Sequence, residues 1–363
     1  MPAPAWLRPI LLGLLVSGLA ASDARFKPVH EAEFYSKLDG RLVRCELCPR
    51  HCIIAPGGRG VCRVRENSDG KLYSVVYARP CTIGKEPIEK APFFHFLPGQ
   101  TRITLATAGC NQSCKYCQNW EISQSRPEEL PGLDLPPDSV VAIAEREGAP
   151  IICLTYSEPV VFFEYTCAIA RRARECGIRT AVVTGGYINP APMETLCSLV
   201  DAVKIDLKGF TKEFYSDVCG SELAPVLAAC RIAARSGTHL ELVNLVVPAR
   251  NDDTLDIRRM CQWVLFNLGD SVPLHFTRFS PAYRLRDAPA TPVATLETAA
   301  DIAREVGLKH VYVGNVPGHE LESTFCPGCD SLVIGRRGYT VTANNIVNGR
   351  CRFCGARIAG VWE

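Results

Sequence analysis

Nineteen cysteines stand in this 363-residue sequence, and three groups of them are spaced to do chemistry. The sharpest reads Gly109-Cys110-Asn111-Gln112-Ser113-Cys114-Lys115-Tyr116-Cys117, a C-x3-C-x2-C triplet with an aromatic residue before its last cysteine. Three thiolates on so short a loop can ligate three irons of a cubane cluster, which is normally held by four. The next cysteine is Cys153, so one iron would stay open to a substrate or cofactor. A zinc knuckle is the rival reading, but a structural zinc site takes four protein ligands and this spacing offers three.

Two further groups flank the triplet. Cys45, Cys48 and Cys52 are followed by Cys62, with Gly57, Gly58 and Gly60 between. These four suit zinc or an auxiliary iron–sulfur cluster, and cysteine chemistry alone does not choose the metal. Disulfides are the alternative, disfavoured in a reducing cytosol. Cys326-Pro-Gly-Cys329 and Cys351-Arg-Phe-Cys354 form paired C-x2-C knuckles, the spacing of a zinc ribbon or rubredoxin-like site. Four thiolates close a metal shell, which points to a structural role. An odd cysteine count excludes complete pairing within the chain. The others, Cys219 among them, read as small buried hydrophobes.

The elements that must position these residues follow from the apolar pattern. Strand-like runs at 102–107, 151–156, 180–184, 202–206, 240–247, 274–279 and 310–313 alternate with helix-like runs at 139–147, 160–176, 224–236, 253–267 and 294–306. Such alternation predicts an α/β fold, a parallel sheet with crossover helices. Reactive residues then gather at the strand C-terminal ends. The triplet follows the first strand. Ser157 and Glu158 follow the second, the paired Gly185 and Gly186 the third, and Asp206 and Lys208 the fourth. Paired glycines permit close approach of backbone to ligand. Arg278 ends the sixth strand and suits a carboxylate, whereas His275 in the same run reads as a satisfied interior histidine.

Four segments are expected: a leader (1–30), an N-terminal four-cysteine unit (31–100), a core (101–318) and a C-terminal zinc-ribbon-like unit (319–363). The leader has Arg8 before an apolar run at 10–21 with small residues after it, and reads as a signal, a weak anchor or a mis-assigned start. Forty basic against 38 acidic residues give a net charge of +2, so no electrostatic case for nucleic-acid binding arises. At 47% hydrophobic and 21% charged residues the chain is neither a long disordered polymer nor a polytopic membrane protein.

Taken in order, these motifs resemble the radical S-adenosylmethionine (SAM) superfamily, of which the triplet is the hallmark. Cys45-Glu-Leu-Cys-Pro-Arg-His-Cys52, Pro92-Phe-Phe-His-Phe-Leu-Pro-Gly99, Cys117-Gln-Asn-Trp120, Thr155-Tyr-Ser-Glu-Pro159, Asp206-Leu-Lys-Gly209 and the C-terminal knuckles narrow the resemblance. As a set they are similar to the AmmeMemoRadiSam-system radical SAM enzymes, relatives of the pyruvate formate-lyase activating enzymes. The resemblance implies a partial (β/α) TIM-like barrel, a [4Fe–4S] cluster on Cys110, Cys114 and Cys117, and reductive cleavage of SAM to a 5′-deoxyadenosyl radical. That radical would abstract hydrogen from a small-molecule or protein substrate. It further implies that Ser157, Glu158, Gly185, Asp206, Lys208 and Arg278 surround SAM. A flavodoxin or ferredoxin would donate electrons, and Memo-family and AMMECR-family proteins would be partners. Catalysis in the cytosol or facing it is expected, because the cluster must be reduced. Two departures count against a glycyl-radical activase: Tyr156-Ser157-Glu158 replaces the family's Gly-Gly-Glu, and no ferredoxin-like insert follows the triplet. That activase and a zinc-binding or RNA-binding scaffold are the alternatives.

Overall fold

Short runs of Val, Ile, Leu and Ala, buried on both faces, form the strands of the central sheet, as parallel strands under helices require. The computed structural model describes residues 30–363, so the leader-like segment lies outside the described residues. Eight strands lie side by side in chain order: β1 (Thr82–Pro87), β2 (Thr101–Ala106), β3 (Ile151–Leu154), β4 (Arg179–Thr184), β5 (Ala202–Asp206), β6 (His239–Val246), β7 (Leu274–Arg278) and β8 (Val311–Gly314). From β2 to β8 every neighbouring pair is parallel. Crossover helices α1 (Pro137–Arg146), α2 (Phe163–Glu175), α3 (Pro190–Leu199), α4 (Leu223–Arg235), α5 (Thr254–Leu268) and α6 (Val293–Val306) connect them in turn. This is the partial TIM-like barrel expected.

Two elements differ from expectation. The sheet starts before residue 101, because β1 pairs antiparallel with β2 from Thr82↔Ala106 to Pro87↔Thr101. Helix α3 escaped the sequence pattern because prolines crowd its start. Pro190 and Pro192 occupy the first turn, where backbone N–H groups have no intrahelical partner and proline is tolerated.

The two faces of the sheet carry separate cores. Helices pack on the outer face. On the concave face Ile151, Cys153, Ala181 and Ala202 pack on Ile88, Phe93, Phe96 and Leu97, a segment that plugs the N-terminal end of the barrel. Glu241 anchors this floor. It is fully buried and accepts from Phe94 N–H and His95 N–H at 3.0 and 2.8 Å, and from the Nε2 atoms of His239 and His275 at 2.9 and 2.7 Å. His275 is thus an interior histidine as anticipated, though satisfied only at Nε2: its Nδ1 has no partner among protein atoms.

Small sheets cover the two ends. The C-terminal strands Thr324–Phe325, Leu332–Arg337 and Thr340–Asn344 form an antiparallel sheet against the floor. Arg336 donates to Phe94 O at 2.6 Å, and Leu97 N–H and Val361 N–H bond Val361 O and His95 O. The N-terminal strands, among them Tyr35–Lys37, Val43–Cys45 and Ile53–Ile54, sit at the opposite end. There Arg65 pairs with Glu164 of α2 at 2.7 Å, both buried, and Asn189 N–H donates to Leu47 O at 3.1 Å. Among the described residues no helix is long and apolar enough to cross a membrane.

Candidate functional site

The cysteine triplet leaves the C-terminal end of β2 at Gly109. That glycine has φ +93°, and a Cβ there would lie 2.5 Å from Cys62 O and 2.7 Å from Val64 Cγ1. Only glycine lets the loop pass so close to the N-terminal unit. On its other side the loop is held by a π-helical turn, Tyr215–Cys219. Ser113 N–H and Lys115 N–H donate to Cys219 O and Val218 O, both at 2.9 Å. Extra-wide turns of this kind leave backbone carbonyls free for such use. Arg50 completes the clamp, donating from Nε to Asn111 O at 2.6 Å and from Nη2 to Gly220 O.

The thiols sit in a setting suited to thiolate–metal bonds. Gln112 N–H donates to Cys110 Sγ at 3.3 Å, and Ser123 Oγ lies 3.3 Å from Cys117 Sγ. Burial pushes the Cys110 and Cys117 thiols up, and a hydrogen bond with Cys219 together with burial does the same for Cys114. Such thiols are neutral until a metal displaces their protons. Sequence reasoning placed Cys219 among bland buried cysteines. It is buried, but it also touches the triplet, lying 3.7 Å from Tyr116 Oη.

Glu158 and Gly185 meet at the ends of β3 and β4. The buried carboxylate accepts from Thr184 Oγ1 at 2.6 Å, Gly185 N–H at 2.8 Å and Val160 N–H at 3.1 Å. Burial raises its pKa, with those donors pulling the other way. A Cβ on Gly185 would collide with the Gln112 amide and lie 3.3 Å from Glu158 Oε2, so glycine is what brings the triplet loop and the carboxylate together. Gln112 has no place in the sequence reading, yet it links the triplet to Ser221 through a 2.8 Å bond.

Asp206 ends β5 between two lysines. Its Oδ2 is 3.2 Å from Lys208 Nζ and its Oδ1 is 3.3 Å from Lys204 Nζ. Lys204 was missed, although strand alternation puts it on the face of Asp206. Burial would raise the Asp206 carboxyl, but the two ammonium groups outweigh it and lower it. Burial would likewise lower Lys208, but Asp206 and the nearby thiols hold it well above its usual range. Arg278 ends β7, with Nε donating to Thr291 O at 2.9 Å.

Several groups at these strand ends are built for something further. Ser157 Oγ and Asn244 Oδ1 are buried without a hydrogen-bond partner among protein atoms. Unsatisfied buried polar atoms are costly and rare. Three thiols, a carboxylate, glycine backbone and orphaned oxygens fit a cluster with an open iron and a polar, zwitterionic cofactor beside it.

The remaining cysteines separate clearly. Cys326, Cys329, Cys351 and Cys354 bring their sulfurs within 4.8 Å of one another, and among the described residues no other group of three or more His, Cys, Asp or Glu draws its ligand atoms together in this way. They lie beneath the floor, at the far end from the triplet. Cys45, Cys48, Cys52 and Cys62 lie beside the triplet instead, around a pocket that Asn111 also lines.

A parallel barrel with a three-thiol loop at the mouth of its first parallel strand defines a class of iron–sulfur enzymes. The sequence profile of the radical SAM superfamily matches residues 104–261. The chain is 46% identical over 332 residues to the uncharacterized protein MJ0808 of Methanocaldococcus jannaschii, covering 91% of this chain and 99% of that one. It is 24% identical over 120 residues to the benzylsuccinate synthase activating enzyme of Thauera aromatica, 33% of this chain and 36% of that one. A solved domain of a pyruvate-formate lyase-activating enzyme from Bacteroides vulgatus aligns with 45% of this chain and 98% of its own, at 16% identity and a TM-score of 0.40. The chain belongs to the radical SAM superfamily, and is an enzyme whose family implies a [4Fe–4S] cluster and SAM.

Proposed function

We propose that the chain is a radical SAM enzyme of the AmmeMemoRadiSam type that removes a hydrogen atom from a small-molecule or protein substrate. Cys110, Cys114 and Cys117 would hold the cluster. A reduced cluster held there would supply the electron for reductive cleavage of SAM. The chain's own residues bind and orient. Glu158 carries a negative charge, braced by Thr184 and Gly185, toward which an ammonium group is drawn. Ser157 and the Gly185 backbone flank it. Asp206 accepts from hydroxyl groups, while Lys208, and Arg278 across the barrel mouth, offer positive charge to a carboxylate. The β/α core and the Ile88–Leu97 floor keep water from the concave interior.

The observation that carries this reading is the convergence of the triplet with Glu158, through Gln112 and Gly185, at the strand C-terminal ends. The Cys326, Cys329, Cys351 and Cys354 group would hold one zinc ion as a staple of the C-terminal unit, one of three units flanking or forming the core as the sequence divides it. A flavodoxin or ferredoxin would supply electrons, and Memo-family and AMMECR-family proteins would act in the same system.

The test is anaerobic reconstitution with iron and sulfide, reduction by dithionite, and chromatography for 5′-deoxyadenosine. The wild type forms it and Cys114→Ala does not. Absence of product from wild type carrying a full cluster, with cell extract supplied as substrate source, overturns the reading. The local similarity to an activating enzyme favours one second reading, with a partner's backbone glycine as the target. A persistent radical on a partner protein would distinguish it.

A further inference from the structure

The four N-terminal cysteines are more than a fold staple. Cys45, at the end of strand Val43–Cys45, and Cys48, Cys52 and Cys62 from the turns that follow line one pocket. Three of the four are buried, and none is disulfide-bonded. Gly60 brings backbone to the pocket wall, where a Cβ would lie 3.6 Å from Cys52 Sγ and 3.7 Å from Cys62 Sγ.

The C-terminal four are an internal standard for a single-ion site. A tetrahedral ion with metal–sulfur bonds of about 2.3 Å sets its sulfurs about 3.8 Å apart. There the sulfurs of Cys326 and Cys354 are 3.5 Å apart and those of Cys329 and Cys351 are 3.8 Å apart. The N-terminal four do not close up in this manner. They line the wall of one pocket at wider spacing. A cube of four irons carries each thiolate outward from a corner, so it needs its four sulfurs spread around a void. One ion needs them nearly in contact.

A second observation points into the same space. Arg65 lines the pocket and is 1% exposed, yet its Nε and Nη1 have no partner among protein atoms. Only Nη2 is used, on Glu164. A buried guanidinium with two idle donors, in a pocket that four thiols also line, is complementary to an anionic sulfur-rich group, whose sulfurs accept N–H hydrogen bonds. Ile54, Val160 and Val161 complete an apolar wall.

We infer that Cys45, Cys48, Cys52 and Cys62 hold a second iron–sulfur cluster of the cubane type, fully ligated by protein and hydrogen-bonded by Arg65. It lies next to the triplet loop: Asn111 lines its pocket, and the Cys62 carbonyl abuts Gly109. The inference stands whether or not the triplet performs radical chemistry.

The test is a metal count in the full chain. Wild type and the triple variant Cys110→Ala/Cys114→Ala/Cys117→Ala are purified anaerobically and reconstituted with iron and sulfide. Iron, acid-labile sulfide and zinc are counted per chain, and the dithionite-reduced protein is examined by electron paramagnetic resonance. The triple variant retains about four iron and about four sulfide, with a reduced-cluster resonance, and about one zinc. An iron-free triple variant carrying about two zinc overturns the inference. Should that variant not fold, Cys48→Ser in the intact triplet background answers the same question. It lowers the wild-type count from about eight iron to about four, and an unchanged count overturns the proposal. Arg65→Met, with iron still bound, shifts the reduction potential of that resonance if the guanidinium faces the cluster.

Discussion

Glu241 is a buried carboxylate on which the barrel floor converges, and Glu241→Gln tests that role. Four donors aim at it: two backbone N–H groups of the Phe94–His95 plug, and His239 and His275, at 2.7 to 3.0 Å. Glutamine keeps the shape but offers one acceptor oxygen, and its NH2 faces donors on the other side. At least two bonds are lost, and bonds to a charged acceptor are worth about 1.5–3 kcal/mol each. The expected destabilisation is about 3–6 kcal/mol, in line with breaking a buried ionic contact. At about 1.3 °C per kcal/mol, from an unfolding entropy of about 2.1 cal/mol/K per residue over a chain of this size, Tm falls by about 4–8 °C. Burial alone would raise the Glu241 carboxyl, but the two histidine hydrogen bonds outweigh it and hold it well below 4.5. A depressed carboxyl stabilises the fold fully above its unfolded value and loses that contribution as pH falls through the folded one. Burial also lowers His275 from 6.5, so its neutral form is favoured and its contribution fades as pH falls below 6.5. Both act in the same direction. Wild-type Tm therefore drops from pH 7 toward pH 4, and the gap between wild type and variant narrows below pH 4.5. Differential scanning calorimetry at several pH values reads both effects. A Tm within 2 °C of wild type at pH 7 would refute the reasoning.

Four further outcomes are expected. Glu158→Gln removes the charge opposite an ammonium and weakens SAM binding about 10- to 100-fold by calorimetry on the cluster-loaded protein, the equivalent of about 1.5–3 kcal/mol. Gly109→Ala puts a Cβ 2.5 Å from the Cys62 carbonyl at a φ of +93°, and lowers stability by about 3 kcal/mol or more, seen as loss of soluble protein or of Tm. Cys329→Ser opens the C-terminal set, so the zinc proposed to sit there is lost by elemental analysis and Tm falls by about 5 °C or more. Cys48 and Cys62 are pushed up by burial, to about 11 and about 12, so metal loading of the N-terminal set releases protons and is tighter at pH 8 than at pH 6.5 in a chelator competition.

How far this molecule was legible in its sequence depended on where each element sits. The buried parallel strands announced themselves because both faces must be apolar, and β5 matches its expected bounds, Ala202–Asp206. Strand β1 did not, because Thr-Ile-Gly-Lys-Glu-Pro lies at an edge, half-exposed along its length, and needs no apolar pattern. Helix α3 hid behind its prolines. At the site the cysteines were plain from spacing alone, since thiol geometry is local. Lys204, Gln112 and Cys219 were not, because their importance arises only when strand ends from distant parts of the chain meet. Strand alternation from Asp206 would have flagged Lys204. Nothing local distinguished Cys219 from Cys230.

The floor of the barrel also sets an order of assembly. Its seal is made by segments far apart along the chain: Phe94 and His95, then Glu241 and His275, then Arg336 and Val361. A ribosome makes them in that order. Every cysteine beside the triplet, from 45 to 117, leaves the ribosome before the first floor-sealing residue beyond β6 has been made. The nascent chain thus displays oxygen-sensitive, metal-seeking thiols while the interior they border is still open to water from below. Iron delivered during synthesis and iron delivered after the floor has closed would meet two different proteins.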